Sequence, residues 1–313
     1  MTDTRTDTQA DIQTDTDIDT KTDTGTELSG QILLASDLDR TIIPNGTQPE
    51  SEHARALLRA VAGRPEVTLA YVSGRSKALM IEAFEDYNLP LPNYAIGDVG
   101  TTIYELRGTE WLPWEAWADE IGQDWQGKER GELAALLEDF GGLTLQEEHK
   151  QGRFKLSYYA PEDFDTSAHL PRIRERLEKL DIHTQLIWSI DEAEQTGLLD
   201  ILPERATKFH AVAFLMKHRG FDESQTVFAG DSGNDLAVLT SDLQAVLVAN
   251  ARPDVRAEAE KGAAIRENLY LARGDFMGMN GNYSAGVLEG LVHFVPEVKA
   301  WLDEAMATLQ SAD

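Results

Sequence analysis

The chain has 313 residues, 42% of them hydrophobic, enough for about two domains with a sizeable core. It contains no cysteine, so disulfides, thiolate metal sites and cysteine nucleophiles are excluded. Its 55 Asp and Glu against 28 Lys and Arg give a net charge of −27, a surface that repels nucleic acid, and no apolar run approaches the roughly 20 residues of a membrane helix.

The first 30 residues read as Thr-Asp repeats, with seven Asp and one Glu against one Arg and one Lys, a net −6 that leaves −21 for the rest. Such a segment buries too little apolar surface to offset its ordering entropy, so 1–30 is expected to be a disordered tail. The N-terminus lacks the basic-then-apolar pattern of a secretory signal, and a cytoplasmic location is expected. Next, residues 31–36 (QILLAS) form an apolar run ending at acids, the pattern of a buried parallel strand. Residues 51–62 have helical period, 67–72 (VTLAYV) predict a second buried strand, 76–86 a helix, and 94–96 the start of a third strand.

The middle of the chain changes character. It opens with a predicted Trp-rich helix carrying Trp111, Trp114, Trp117 and Trp125, then a helix near 132–140. Alternating segments at 143–149 and 154–159 flank a turn at Gln151-Gly152, and a helix at 170–180 and a strand at 183–188 follow. Beyond a strand-like segment at 199–202 the earlier alternation resumes. Strands are predicted at 226–229, 245–248 and 263–265, with helices at 208–218, 235–240 and 254–260. This order predicts an α/β fold: a Rossmann-like doubly wound parallel sheet built from 31–106 and 199–313, with an α+β cap inserted at 107–198. Ligands of such a sheet bind at the C-terminal ends of its strands.

Four polar motifs fall at those ends. Asp37-Leu38-Asp39-Arg40-Thr41 offers two carboxylates two residues apart, able to serve as nucleophile and acid/base and to hold a hard cation. Ser73-Gly74-Arg75 offers a hydroxyl and free amides before a helix, which suit an anion. Lys208 opens a helix, where a cation does not help the helix and can neutralise a carboxylate or a phosphate. Gly230-Asp231-Ser232-Gly233-Asn234-Asp235 adds two acids and an amide, without the alternating oxygen ligands of a Ca²⁺ loop. Any one of these is weak alone. Four in order at four strand ends are hard to explain by folding needs.

Together they resemble the haloacid dehalogenase superfamily of phosphohydrolases over about 31–294, with the insertion at the cap position that follows the second motif. Within it the chain is similar to the sucrose-phosphate phosphatase family. The stretches VGTTIY (99–104), FKLSY (154–158), DILPERATK (200–208), VANA (248–251) and NYSAGVLEGLVHF (282–294) carry this resemblance. Two departures stand out: Arg40, where the family usually has Gly or Asn, and Phe209-His210 after the lysine, where Gly is typical.

The resemblance implies a phosphatase releasing sucrose from sucrose 6-phosphate. Asp37 would be the nucleophile, forming an aspartyl-phosphate, and Asp39 the general acid and base. Mg²⁺ would be held by Asp37, the Asp39 carbonyl and Asp231, with Asp235 acting from behind. Thr41, Ser73, Gly74, Lys208 and Asn234 would bind the phosphate, and Arg75, Lys155 and Tyr158 the sugar. Related substrates are mannosylfructose phosphate, mannosyl-3-phosphoglycerate and glucosylglycerol phosphate. A sucrose-phosphate synthase is the implied pathway partner, and a non-catalytic docking role beside it is the remote alternative. A monomer is expected, since no large apolar surface stripe is visible. Helical spacing makes Trp114 and Trp117 core residues before it makes them a sugar platform.

Overall fold

A computed structural model of the protein describes residues 30–191, 194–263 and 266–311, so the expected tail at 1–30 lies, but for Gly30, outside the described residues. The chain begins with β1 (Ile32–Ser36), α1 (Ala54–Ala62), β2 (Val67–Val72), α2 (Lys77–Asp86) and β3 (Tyr94–Gly97). These three strands are buried along nearly their whole length, as expected of a sheet covered on both faces. A hairpin of β4 (Thr102–Arg107) and β5 (Glu110–Pro113) leads to α3 (Glu115–Gly122) and α4 (Arg130–Leu136). Then come β6 (Thr144–Leu145), β7 (Leu156–Pro161), α5 (Thr166–Glu178), β8 (Thr184–Asp191) and β9 (Thr196–Pro203). The remaining elements are α6 (Lys208–Arg219), β10 (Thr226–Gly230), α7 (Leu236–Leu239), β11 (Gln244–Leu247), α8 (Pro253–Ala263), β12 (Leu269–Leu271), α9 (Ser284–Phe294) and α10 (Val298–Gln310).

The strands form an eight-stranded sheet, β12-β11-β10-β1-β2-β3-β4-β5, and a four-stranded sheet, β6-β7-β9-β8. The larger sheet is parallel from β12 to β3 and antiparallel over β4 and β5. Alternate β1 residues feed opposite layers. Ile32 and Leu34 pack with Leu57, Leu291 and Leu302 of α1, α9 and α10, whereas Leu33 and Ala35 pack with Val212 and Leu215 of α6. Helices therefore cover both faces of a doubly wound α/β sheet. Ser36, the last residue of β1, is level with Ala229 of β10 and Tyr71 of β2. The loops that leave these three strands consequently open at one edge.

Several expected elements differ. The Trp-rich helix is shorter: Trp111 lies in β5, Trp125 follows α3, and only Trp117 is within the helix. The reason is pairing. Trp111 is level with Leu106 across the β4–β5 hairpin, which extends the large sheet as far as Pro113 rather than opening the insertion at 107. At the other boundary, β9 stays in the small sheet through Pro203, beyond the expected end at 198. The strand expected at 263–265 is displaced: α8 runs through Ala263, residues 264–265 lie outside the described residues, and the strand is Leu269–Leu271. Trp117 and Trp125, at 2% and 0% exposure, are core residues and no sugar platform. Among the described residues no helix is long and apolar enough to cross a membrane.

Candidate active site

Asp37 continues β1 and is fixed at the edge by its own amide, which donates to the Ala229 carbonyl of β10 at 2.9 Å. The first turn of α6 brings Lys208 underneath it. The buried ammonium lies 2.8 Å from Asp37 Oδ1 and 2.8 Å from Asp235 Oδ1, and donates to Asn234 Oδ1 at 3.3 Å. Thr207 caps this helix, its hydroxyl accepting from the His210 amide at 3.0 Å. Burial alone would lower the Lys208 pKa, but the Asp235 and Asp37 carboxylates outweigh it and keep the lysine charged. Burial pushes the Asp37 carboxyl up to about 7, with Lys208 opposing the rise and Asp235 and Asp231 adding to it.

The GDSGND loop is folded around Asp235. Its Oδ2 accepts from the amides of Asp231 and Ser232 and from the Ser232 hydroxyl, at 3.1, 3.0 and 3.0 Å, while Oδ1 takes Lys208. Gly230 is required here, because a Cβ would lie 2.6 Å from the Asp235 carboxyl carbon. Asp231 faces the same space, 1% exposed, and burial and Asp235 raise its pKa while Arg40 holds it down. Its partners are the Thr41 hydroxyl at 3.4 Å and Arg40 Nε at 3.2 Å.

One carboxylate oxygen from each of Asp37, Asp231 and Asp235 falls within 4.8 Å of the others. Three buried acids against one buried ammonium leave a deficit of positive charge, and an all-oxygen donor set suits a hard divalent cation. Asp235 has both oxygens engaged by the chain itself, so it fits a supporting place better than a ligating one.

Asp39 is built differently. Arg75 grips it with both arms of its guanidinium, Nε to Oδ2 at 2.9 Å and Nη2 to Oδ1 at 2.7 Å, and Asn45 adds a donor at 2.7 Å. Burial works to raise the Asp39 pKa, but Arg75 and Asn45 prevail and hold it below the usual carboxylate range. Asp37, Asp39, Arg40, Gly74, Arg75, Asp231, Asn234 and Arg252 line one cavity of about 470 Å³. Ser73 and Thr41, expected at the phosphate, flank this cavity without lining it. Ser73 is buried at the end of β2, its hydroxyl accepting from the Arg75 amide at 3.2 Å, and Thr41 is buried against Asp231. The exposed residue of the Ser-Gly-Arg turn is Gly74.

Lys155, just before β7, and Tyr158, within it, were expected together at the sugar and reach opposite faces of the small sheet. Tyr158 is 4% exposed in the core, and burial pushes its hydroxyl up to about 12. It lines a cavity with Ala134 of α4 and Leu137 just beyond that helix, on the helix-covered side of the small sheet. This corrects the expectation of a sugar contact. Ser157 is level with Asp200 on the opposite face, where Lys155 Nζ lies 3.5 Å from Asp200 Oδ1 and the Ser157 hydroxyl also donates to Asp200.

Two residues of this region were not singled out from the sequence. Asp200 sits inside DILPERATK, where its partners are invisible until β7 and β9 pair. Asp98 follows β3 at the same sheet edge as the other acids, the signal that could have found it. Burial raises its pKa, Lys155 lowers it and Asp200 adds to the rise, and its amide donates to the Arg75 carbonyl at 2.9 Å. The chain turns there through three positive φ angles, 50°, 61° and 92° at Asp98, Val99 and Gly100. A Cβ on Gly100 would lie 3.0 Å from the Thr207 carbonyl carbon, so the turn seats directly on the residue before Lys208. Polar contacts thus run from Asp39 through Arg75 to Asp98, with Lys155 and Asp200 beyond.

The family model for sucrose-6F-phosphate phosphohydrolase matches residues 30–295. A relative in Nitrosococcus oceani described as a HAD-like hydrolase is 57% identical over 275 residues, 87% of this chain and 74% of its own. The mannosylfructose-phosphate phosphatase of Agrobacterium fabrum is 29% identical over 265 residues, 84% of this chain and 96% of its own. Among solved structures, the sucrose-phosphatase of Synechocystis in complex with sucrose and phosphate superposes with a TM-score of 0.64 at 28% identity, over 85% of this chain and 98% of that one.

Proposed function

The chain belongs to the sucrose-6F-phosphate phosphohydrolase family, and on that premise we propose that it hydrolyses sucrose 6-phosphate to sucrose and inorganic phosphate with Mg²⁺ as cofactor. It is a phosphoric monoester hydrolase acting on a sugar phosphate. The observation that carries the reading is a buried Asp37, paired to Lys208 and clustered with Asp231 and Asp235, lining a cavity shared with Asp39 and Arg75.

Asp37 attacks phosphorus. A bond forms between its carboxylate oxygen and phosphorus as the bond from phosphorus to the sugar oxygen breaks. The departing oxygen takes a proton from Asp39. Asp39 then removes a proton from water, which attacks phosphorus, frees phosphate and restores Asp37. Mg²⁺, when bound, neutralises the repulsion between an anionic nucleophile and an anionic ester. Asp37, the Asp39 carbonyl and Asp231 would hold it, with Asp235 securing the loop behind them. Lys208, Asn234 and the Gly74 amide receive the phosphoryl oxygens. The Arg75 grip favours the ionised Asp39 needed for the second step. For the first step, Arg75 turns from Asp39 toward the incoming ester and leaves the acid free to carry a proton. Residues 114–203 act as the cap, whose Lys155 and Asp200, together with Asp98 of the core sheet edge, meet sugar hydroxyls.

The second reading is a mannosylfructose-phosphate phosphatase, favoured by a relative that this chain matches over 96% of its length. Initial rates of phosphate release decide between them, measured on sucrose 6-phosphate, mannosylfructose phosphate, mannosyl-3-phosphoglycerate and glucosylglycerol phosphate. Sucrose 6-phosphate is expected to give the highest kcat/KM. A tenfold preference for another ester overturns that substrate.

A further inference from the structure

Arg40 stands at φ 59°, a left-handed conformation disfavoured for a long side chain, in the loop that carries both Asp37 and Asp39. The surrounding chain holds it there. Its amide donates to Asn45 Oδ1 at 2.9 Å and to the Ile43 carbonyl at 3.0 Å, and its carbonyl accepts from Asn250 Nδ2 at 2.6 Å. Asn250 is itself 3% exposed and locked by the Tyr283 amide, which donates to its Oδ1 at 2.8 Å. This frame turns the guanidinium inward. Nε donates to Asp231 Oδ2 at 3.2 Å, and Nη2 donates to the Asn250 carbonyl at 3.2 Å.

Charge gives this contact a consequence. Asp37, Asp231 and Asp235 carry three potential negative charges and Lys208 returns one, so without Arg40 the cluster lacks two positive charges, which a divalent cation matches. With Arg40 it lacks one. A bound divalent cation then leaves the site with a net positive charge, which favours a phosphate anion and disfavours the cation itself.

We infer that Arg40 is a built-in stand-in cation for Asp231: it holds that carboxylate in the metal-free chain, competes with the divalent cation for it, and adds positive charge for phosphate once the cation is bound. The anchor on the Asn250 carbonyl keeps the guanidinium beside the site when the cation takes Asp231. The inference rests on the reading of Asp37, Asp231 and Asp235 as a divalent-cation site.

The test is calorimetric titration of the full chain with Mg²⁺, and separately with Mn²⁺, without substrate. Arg40→Asn suits the backbone, since Asn tolerates the left-handed region, and it removes the charge. This variant is expected to bind the cation roughly three- to tenfold tighter than the wild type, given a partly solvent-screened contact. It is also expected to melt at a lower temperature in EDTA and to bind inorganic phosphate more weakly at saturating Mg²⁺. Arg40→Lys, which keeps the charge, is expected to stay within twofold of wild-type cation affinity. Tightening is the outcome that a purely structural role cannot produce, because a loosened loop weakens every ligand. Equal or weaker cation binding by Arg40→Asn, with normal binding by the wild type, overturns the inference alone. A wild type that binds neither cation overturns the cation site together with the inference.

Discussion

At the edge of the parallel sheet Asp37, Asp231, Asp235 and Lys208 are each 5% exposed or less, and each is held by two or more neighbours. On the open face of the four-stranded sheet, the Lys155 and Asp200 side chains keep 13% and 24% of their surface in contact with solvent. The first region is pre-organised and densely charged, the setting in which geometry and electrostatics can act on reacting atoms. The second is more open and carries the Lys155–Asp200 pair, suited to recognising hydroxyls. In the proposed enzyme, changes at the sheet edge therefore affect turnover, and changes on the small sheet affect substrate affinity.

The largest expected effect tests the first half of that contrast. Asp37→Asn replaces a nucleophilic carboxylate with an amide of the same shape, and Lys208 keeps Asp235 as its partner. Turnover is expected to fall at least a hundredfold, with an unchanged circular dichroism spectrum. More than about 1% residual phosphate release would mean that catalysis does not pass through Asp37.

A smaller effect follows from the Asp37 carboxyl, raised to about 7 chiefly by burial. A group whose folded-state pKa lies above its unfolded value stabilises the native chain at low pH and ceases to do so as pH rises through the folded pKa. In EDTA, the melting temperature is thus expected to decline between pH 5 and pH 7.5. A divalent cation must displace the same proton, so its affinity is expected to rise with pH, by up to about tenfold per unit, and to level off above pH 7. Asp39, held low once Arg75 overcomes burial, works in the opposite sense: its contribution is lost only as pH falls below the usual carboxylate range. Calorimetry at pH 6, 7 and 8 checks this, and a flat profile would show that Asp37 is ionised throughout.

The same contrast explains what was legible in the sequence. Asp37, Gly74, Lys208 and Asp231 could be located because each follows or precedes a short apolar run, and a parallel sheet presents such positions at one edge whatever the strand order. Asp98 escaped because its turn continues through left-handed backbone at Val99, which a β-branched residue does not announce. Tyr158 was misread because facing depends on register. Within β7, Ser157 and Tyr158 are adjacent and must point to opposite faces, and Lys155, just before the strand, reaches Asp200 on the Ser157 face. The tryptophan helix failed for a related reason, since Trp111 obeys its pairing with β4 and not the helical spacing of its neighbours.

Strand parity supplies the smallest and most discriminating prediction. Asp200 accepts from Ser157 on the open face, close to Lys155. Asp200→Asn is expected to raise KM for the sugar phosphate about tenfold, the worth of one charged hydrogen bond, while kcat changes less than twofold. Its rate on p-nitrophenyl phosphate, which has no sugar, should not move. Tyr158→Phe removes a hydroxyl from the buried face of the same sheet and should leave KM within twofold of wild type. If the phenylalanine variant raises KM as far as the asparagine variant does, substrate reaches the helix-covered face and the two faces have been assigned the wrong way round. If neither changes KM, the sugar does not rest on this sheet, and Arg75 and Asp98 at the sheet edge become the residues to vary.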